Sequence, residues 1–135
     1  MNRISEEQID RLMLHVQKQA NDLSRLLAAP TWYEVTEFLN SWENYNTASA
    51  TVGYCKDALG FVHIKGRIKS GTTEQEAFTL PVGFRPVYAG VFPSATHNGT
   101  SYVVALTVIG TSGGVIPWAT TSTDHLLEGI TFYAG

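Results

Sequence analysis

Val52 to Pro86, VGYCKDALGFVHIKGRIKSGTTEQEAFTLPVGFRP, is the stretch whose reading decides the fold. It reads as two strands, a Gly/Thr turn, a third short strand and a rigid exit, where Pro81 and Pro86 fix φ and Gly83 is free to take φ > 0. From Thr51 the apolar period is two. Val62, Ile64, Gly66 and Ile68 share one face, with His63, Lys65, Arg67 and Lys69 on the other, the pattern of one strand with a wet side. Asp57 to Gly60 turns the chain into that strand, Ser70 to Glu76 is a polar turn, and Ala77 to Leu80 is a short strand. The stretch contains no phosphate cradle, nucleophile elbow or metal cage, so it speaks for architecture more than for chemistry.

Downstream, two strands have both alternating faces apolar, Val87 to Phe92 and Tyr102 to Ile109. In the second, Tyr102, Val104, Leu106 and Val108 stand on one side and Val103, Ala105 and Ile109 on the other. Such a strand has to be covered twice. In a small domain the second cover is either a second sheet with a helix or a neighbouring copy, and the low charge favours the neighbour. Between them Ser94 to Thr100 carries Asn98-Gly99, a hairpin signal, and Asn98 also opens an N-x-[ST] sequon. Thr111 to Gly114 reads as a turn, Val115 to Trp118 as a short strand, Ala119 to Asp124 as a Thr/Ser loop, and Gly129 to Ala134 as the closing strand.

Upstream, Ile4 to Leu27 reads as a helix. Ser5 and Gln8 make a capping box, Ile4 and Ile9 a hydrophobic staple, and Glu6, Glu7 and Asp10 suit the positive end of the dipole. Ile9, Leu12, Val16, Gln19, Leu23 and Leu26 follow 3-4 spacing, Met13, Ala20 and Leu27 widen the stripe, and Pro30 ends the helix. The stripe can fold back on its own β-domain or bundle with copies of itself; the kept heptad phase favours a short coiled-coil stem. β-branched residues at a with Leu at d lean toward two strands, and the wide stripe with Gln19 in the seam leaves room for three. The division is therefore a stem over residues 1–30 and a β-head over 31–135. Trp32, Tyr33, Phe38, Trp42 and Tyr45 make the segment after the helix one that docks on the head, with Asn44 to Ala50 as a loop.

The 135 residues have room for one domain and an appendage. Charged residues are 16% of the chain, below the usual share of about a quarter, which leaves neutral surface to be hidden against another copy. A net charge of -3 argues against a nucleic-acid partner; Lys65, Arg67 and Lys69 are too few for a footprint and read as a solvated face. No run is apolar enough to enter a bilayer, and MNRISEEQID lacks the basic-then-apolar order of a secretory signal. Cys55, the single cysteine, reads as a small core hydrophobe.

The blocks VGYCKDALGFVHIKGRIKSGT, FTLPVGFRP, VFPSAT and EGITFYAG, preceded by Trp42, Asn44 and Tyr45 in a W-x-N-Y approach, resemble the C-terminal β-domain of bacteriophage tail-fibre and receptor-binding proteins. The resemblance covers Trp42 to Gly135 and rests on the order and spacing of the blocks together. Cys55 and Leu59 depart from it where aromatics are common, and Glu74 to Glu76 makes the turn more acidic. It implies an antiparallel β-sandwich or barrel head, homotrimeric, at the tip of a viral fibre that touches the host surface.

The expected function is thus that of a phage fibre or baseplate module, part of the virion, binding a bacterial surface polysaccharide or teichoic acid without cleaving it, with other tail or baseplate proteins as partners. A purely structural virion tip and a depolymerase are the rivals. Saccharide binding needs an aromatic platform beside polar side chains on rigid loops. Trp118 with Thr120, Thr121, Ser122, Asp124 and His125 supplies that mixture, and so do His97 and Asn98 at the hairpin. Cleavage needs two facing carboxylates, and Asp57, Glu74, Glu76, Asp124 and Glu128 read as ordinary turn residues in no pairing motif. His15, His63, His97 and His125 have no metal-ligand spacing, so neither metal nor cofactor is expected.

Overall fold

The computed structural model describes residues 3–135. One helix, α1 (Glu6–Leu27), precedes eleven strands: β1 (Tyr33–Glu34), β2 (Glu43–Asn44), β3 (Gly53–Lys56), β4 (Phe61–Lys65), β5 (Arg67–Lys69), β6 (Phe78–Thr79), β7 (Gly90–His97), β8 (Tyr102–Ile109), β9 (Gly114–Trp118), β10 (His125–Leu126) and β11 (Ile130–Tyr133). The strands form two antiparallel sheets, a small one in the order β1-β3-β4-β11 and a large one in the order β2-β5-β10-β7-β8-β9-β6.

The helix begins where its capping box predicts. The Ser5 hydroxyl accepts from the Gln8 N–H at 3.2 Å and the Gln8 side chain accepts from the Ser5 N–H at 2.8 Å, satisfying two of the orphan donors of the first turn. None of its residues is buried, so its apolar stripe does not fold back on the head.

The core lies between the sheets. Val62, Ile64, Ile130 and Phe132 of the small sheet meet Ile68, Phe78, Ile109 and Val115 of the large one, with Trp42, Val52, Leu80 and Leu127 closing the ends. Of the aromatic run after the helix, Trp42 enters this core and Phe38 packs against it, while Trp32, Tyr33 and Tyr45 stay at the surface of the head; the Trp42 indole N–H donates to the Thr72 carbonyl at 3.0 Å. Cys55 is buried too, and desolvation pushes its thiol above the usual range.

Three expectations about strands are corrected. The period-two run through Val62 and Ile68 is not one strand. At Gly66 the backbone takes φ +111, passes within side-chain distance of Val52 and hands the chain from β4 in the small sheet to β5 in the large one. The strand read over Val87 to Phe92 is β7, Gly90–His97, and the hairpin turn narrows to Asn98–Ser101, with the Asn98 N–H donating to the Ser101 carbonyl at 3.0 Å. Proline inside β7 is tolerated because Pro93 needs no ladder donor of its own. The third correction is that β1 and β2, each two residues long, fall where the sequence reads as boundary or loop, and that β10, also of two residues, follows directly on the Ala119–Asp124 loop where the sequence assigns no strand.

The doubly apolar strands are covered once. Their inner face, with Ala105, Thr107 and Ile109, is buried under the small sheet. On the outer face Val91, Pro93 and Ala95 of β7, Val104, Leu106 and Val108 of β8, and Ile116 and Trp118 of β9 lie in adjoining register. Val104 is 78% exposed, Val91 61% and Trp118 43%.

Candidate functional site

The strand registers give the head two distinct ends. Antiparallel pairing of Tyr33 with Tyr54 and Glu34 with Gly53 means that the chain arriving from α1 passes beside Lys56 and the Asp57–Gly60 turn. The strands of the large sheet run away from that end, so the Asn98–Ser101 hairpin, the Ser122 loop and the far end of β5 gather at the opposite one.

At that far end the outer face of the large sheet changes character. Lys69 of β5, Asp124, His97 of β7 and Tyr102 of β8 continue the rows that nearer the helix hold Leu126, Ala95 and Val104. Asp124 is the pivot. It is 2% exposed, and both its oxygens are taken: Oδ1 accepts from Arg67 Nε at 3.0 Å, and Oδ2 accepts from Arg67 Nη2 and from the Tyr102 hydroxyl, the latter at 3.0 Å. A third Arg67 N–H, the other one on Nη2, reaches the Tyr102 oxygen at 3.0 Å. The guanidinium lies over Tyr45 with Cζ 4.3 Å from the ring centroid, and the Lys69 ammonium is 5.6 Å from the same centroid. The bond to Asp124 holds the Tyr102 hydroxyl above its ordinary pKa, and the same carboxylate raises that of Arg67.

Beside this pair, the His97 and Tyr102 rings meet edge to face at 4.9 Å. His97 Nδ1 accepts from the Gly99 N–H at 3.1 Å, which puts the ring proton on Nε2. Asn98 Oδ1 accepts from the N–H groups of Thr100 and Ser101 at 3.0 and 2.9 Å, fixing the turn, while Gly99 supplies its positive φ. Tyr102, 53% exposed, is the aromatic surface of this end.

A buried layer of hydroxyls holds the loops from below. Thr96 Oγ1 donates to the Asp124 carbonyl at 2.8 Å, and Thr121 Oγ1 donates to that of His97 at 2.6 Å. His125 is fully buried between Thr107 Oγ1, 2.8 Å from Nε2, and Thr120 Oγ1, 2.7 Å from Nδ1. Thr120 spends its proton on the Thr121 carbonyl and Thr107 sits 2.7 Å from the Ser94 hydroxyl, so one assignment satisfies every group: Nδ1–H donates to Thr120 and Nε2 accepts from Thr107. Desolvation keeps that ring neutral, lowering its pKa to about 4.

Of the residues chosen from sequence, His97 and Asn98 stand at this end and reach the surface. Asp124 and His125 are enclosed, which corrects their assignment as ligand contacts: Asp124 positions Arg67 and Tyr102, and His125 braces the loop below. Trp118 is exposed but lies opposite Leu106 on the apolar face, away from His97 and Asn98. Arg67, read as part of a solvated face, is instead ion-paired and stacked. Arg67, Tyr102 and Tyr45 were missed as site residues. The available signal was a cationic residue inside an alternating strand together with a tyrosine opening a doubly apolar one.

Two other features lie elsewhere. His63 clips the small sheet, with Nε2 2.9 Å from Asp57 Oδ2 and Nδ1 3.2 Å from Thr131 Oγ1; that bond and the Phe61 N–H hold the Asp57 carboxyl below its usual range. A cleft of about 190 Å³ opens between Glu34–Glu37 and Tyr54, Thr79 and Pro81, lined by none of the residues just described.

The receptor binding protein (gp15) of Listeria phage PSA has a crystal structure similar to this chain, with a TM-score of 0.70 and 17% identity over 98% of this chain and 82% of that one. The likeness is one of fold. The matched span takes in α1 as well as the head, since 98% of the chain leaves no room to omit a 22-residue helix. No protein-family model matches the chain, nor does any curated protein.

Proposed function

We propose that this chain is a receptor-binding module of a bacteriophage tail fibre or baseplate, carried on the virion, that binds a bacterial surface polysaccharide or teichoic acid through the end of the head remote from α1 and does not cleave it. The observation that carries the reading is placement: the ordered polar and aromatic cluster of Tyr45, Arg67, His97, Asn98 and Tyr102 sits on the strand ends and the fixed Asn98–Ser101 turn at the end opposite the entry of the chain from the helix. The fold shared with a phage receptor binding protein supports it. A non-catalytic role agrees with Asp124, whose oxygens are occupied and so are not free to act on a glycosidic bond.

The same reading makes the working unit a homotrimer. The uncovered face around Val91, Val104, Leu106 and Trp118 and the exposed stripe of α1 are each satisfied by further copies, and three equivalent tips on one body gain avidity. Other tail or baseplate proteins would hold its helical end. The rival reading, a tip that only assembles, draws on the mutual satisfaction of Arg67, Asp124 and Tyr102.

Binding of the purified chain to envelope preparations from a panel of bacteria separates the two. Tyr102→Ala removes the most exposed ring of the tip, and adsorption to the binding strain, measured below the melting range of the variant, should fall by about tenfold or more, the equivalent of roughly 1.4 kcal/mol, whereas Tyr102→Phe, which loses the bond to Asp124 and keeps the ring, should adsorb nearly as well as the parent chain. Unchanged adsorption, or no envelope bound at all, favours the structural tip.

A further inference from the structure

We propose that the cleft on the flank of the head is a docking site for a cationic side chain, a lysine or an arginine, presented by a partner tail or baseplate protein. That the partner belongs to a virion rests on the reading of the chain given above; the site itself rests on its own charge and walls. The cleft, of about 190 Å³, draws residues from β1, the edge strand of the small sheet, and from β6, the edge strand of the large one. β6 joins its sheet through Val115, which pairs with Ile109, and the eight residues of β8 put that level roughly 25 Å from the Asn98–Ser101 hairpin. The cleft is therefore a surface apart from the tip.

Glu34 and Glu37 stand on its wall, and among the described residues neither has a basic side chain within 4.0 Å. Glu34 receives a hydroxyl from Thr51 at 3.4 Å. The head cannot supply the missing charge, because its five lysines and arginines are engaged elsewhere. Lys56 donates to the Gly83 carbonyl at 3.0 Å, Lys65 lies 4.7 Å from the centroid of the Trp32 ring, Arg67 is paired with Asp124, Lys69 is 4.0 Å from Glu43, and Arg85 donates to the Leu80 carbonyl at 2.9 Å. A second head brings the same engaged set. On α1, Arg11 and Arg25 are paired with Glu7 and Asp22, and Lys18 stands about 14 Å up the helix from Leu27, so the cation comes from a different molecule.

The walls distinguish this cleft from a mere pair of surface acids. The Tyr54 ring lines it and is fixed by packing, stacked on Tyr33 at 5.8 Å and edge-on to Phe84 at 5.0 Å. Pro81 extends the apolar side, and Thr79 Oγ1, whose proton goes to Glu76 at 2.9 Å, keeps its lone pairs for an incoming donor. A lysine or arginine matches that division of labour: an aliphatic stem for Tyr54 and Pro81, and a charged head for the carboxylates and the face of the ring.

Nuclear magnetic resonance titration of the ¹⁵N-labelled full chain tests the proposal with four compounds: Nα-acetyl-lysine amide, Nα-acetyl-arginine amide, the uncharged Nα-acetyl-norleucine amide, and galactosamine. Saturable shifts of the Thr36 and Thr79 amides are expected with one or both cationic amino-acid amides, at about millimolar concentration, and none with norleucine amide. Glu37→Gln should weaken that binding about three- to fivefold, the scale of an exposed charge pair, with the difference shrinking as salt rises. Glu74→Gln removes an exposed carboxylate outside the cleft and should leave it unchanged, and the Glu37→Gln chain should bind bacterial envelopes as the parent does.

Absence of saturable shifts, equal shifts with norleucine amide, or a loss in Glu74→Gln as large as in Glu37→Gln overturns the proposal. Galactosamine bound as tightly as the amino-acid amides would put an envelope amine in the cleft and overturn the protein partner, as would a loss of envelope binding in Glu37→Gln. A parent chain that binds no envelope but takes up the cationic amides defeats the receptor reading and leaves the cleft assignment standing.

Discussion

His125 is where a single residue ties the tip to pH. Its ring is neutral in the folded chain, donating to Thr120 and accepting from Thr107, and burial lowers its pKa from the ordinary 6.5 to about 4. In the unfolded chain it takes a proton below pH 6.5. Between those values the unfolded state binds more protons than the folded one, so stability falls as pH drops from about 6.5 to about 4 and levels off below. A drop from 6.5 to about 4 corresponds to roughly 3 kcal/mol over that window. Urea unfolding followed across pH 7 to 4 should show the slope, and His125→Gln should flatten it. An equal slope in the variant would place the acid sensitivity elsewhere. Proximity in sequence explains why His97 and Asn98 were legible as tip residues: a hairpin announces itself over four positions. Arg67 and Tyr102 come from two separate strands and Asp124 from the loop that precedes β10, and nothing local to any of them records which carboxylate a guanidinium will find. Burial reversed the roles of Asp124 and His125 for the same reason, since loop composition reports polarity but not depth.

Gly66 shows how much one backbone position decides at the scale of elements. Alternation of apolar and polar residues continues through it, which is why the run from Val62 to Lys69 reads as one strand. Both pieces do keep one face on the core, and the period survives because each sheet is half buried. The feature that alternation cannot report is the handover between sheets at φ +111. A Cβ placed at residue 66 would lie 2.5 Å from Val52 Cα and 2.7 Å from the Thr51 carbonyl oxygen, so neither the conformation nor the space admits a side chain. Gly66→Ala should cost about 2–4 kcal/mol, combining left-handed strain with displaced backbone, and should lower the denaturant midpoint. Gly83 is the matched control. Its φ is also positive, +96, but nothing lies within 4 Å of an added Cβ, so Gly83→Ala should cost less, with strain alone at work. Equal losses at the two glycines would mean that the close approach to Val52 carries no weight. The short strands β1, β2 and β10 were invisible for a different reason. Two residues carry no period, and they are strands only because a neighbouring edge is there to pair with them.

Surface left over on the whole head concerns what covers it. Low charge and two strands apolar on both faces pointed from the sequence to a missing neighbour, and the outer face of the large sheet is uncovered around Val91, Val104 and Trp118. The polar tip and this apolar face are successive rows of one surface, so copies meeting through the apolar rows would carry their tips side by side. In the proposed trimer the helix would contribute less, because 22 residues span about three heptads and are short for a bundle that stands alone. Val104→Asp tests the division of labour. At 78% exposure the residue supports little of the isolated head, so its far-ultraviolet spectrum and the burial of Trp42 should be unchanged. In a trimer the same carboxylate would be desolvated without a partner, a cost of several kcal/mol for each copy. Light scattering should therefore move from three chains of 14.8 kDa toward one, while Leu23→Asp in the stem should weaken the assembly without abolishing it. A wild-type chain that scatters as a monomer at micromolar concentration, or a Val104→Asp variant that stays trimeric, would remove the sheet face from the interface and leave the apolar rows without the partner assigned to them.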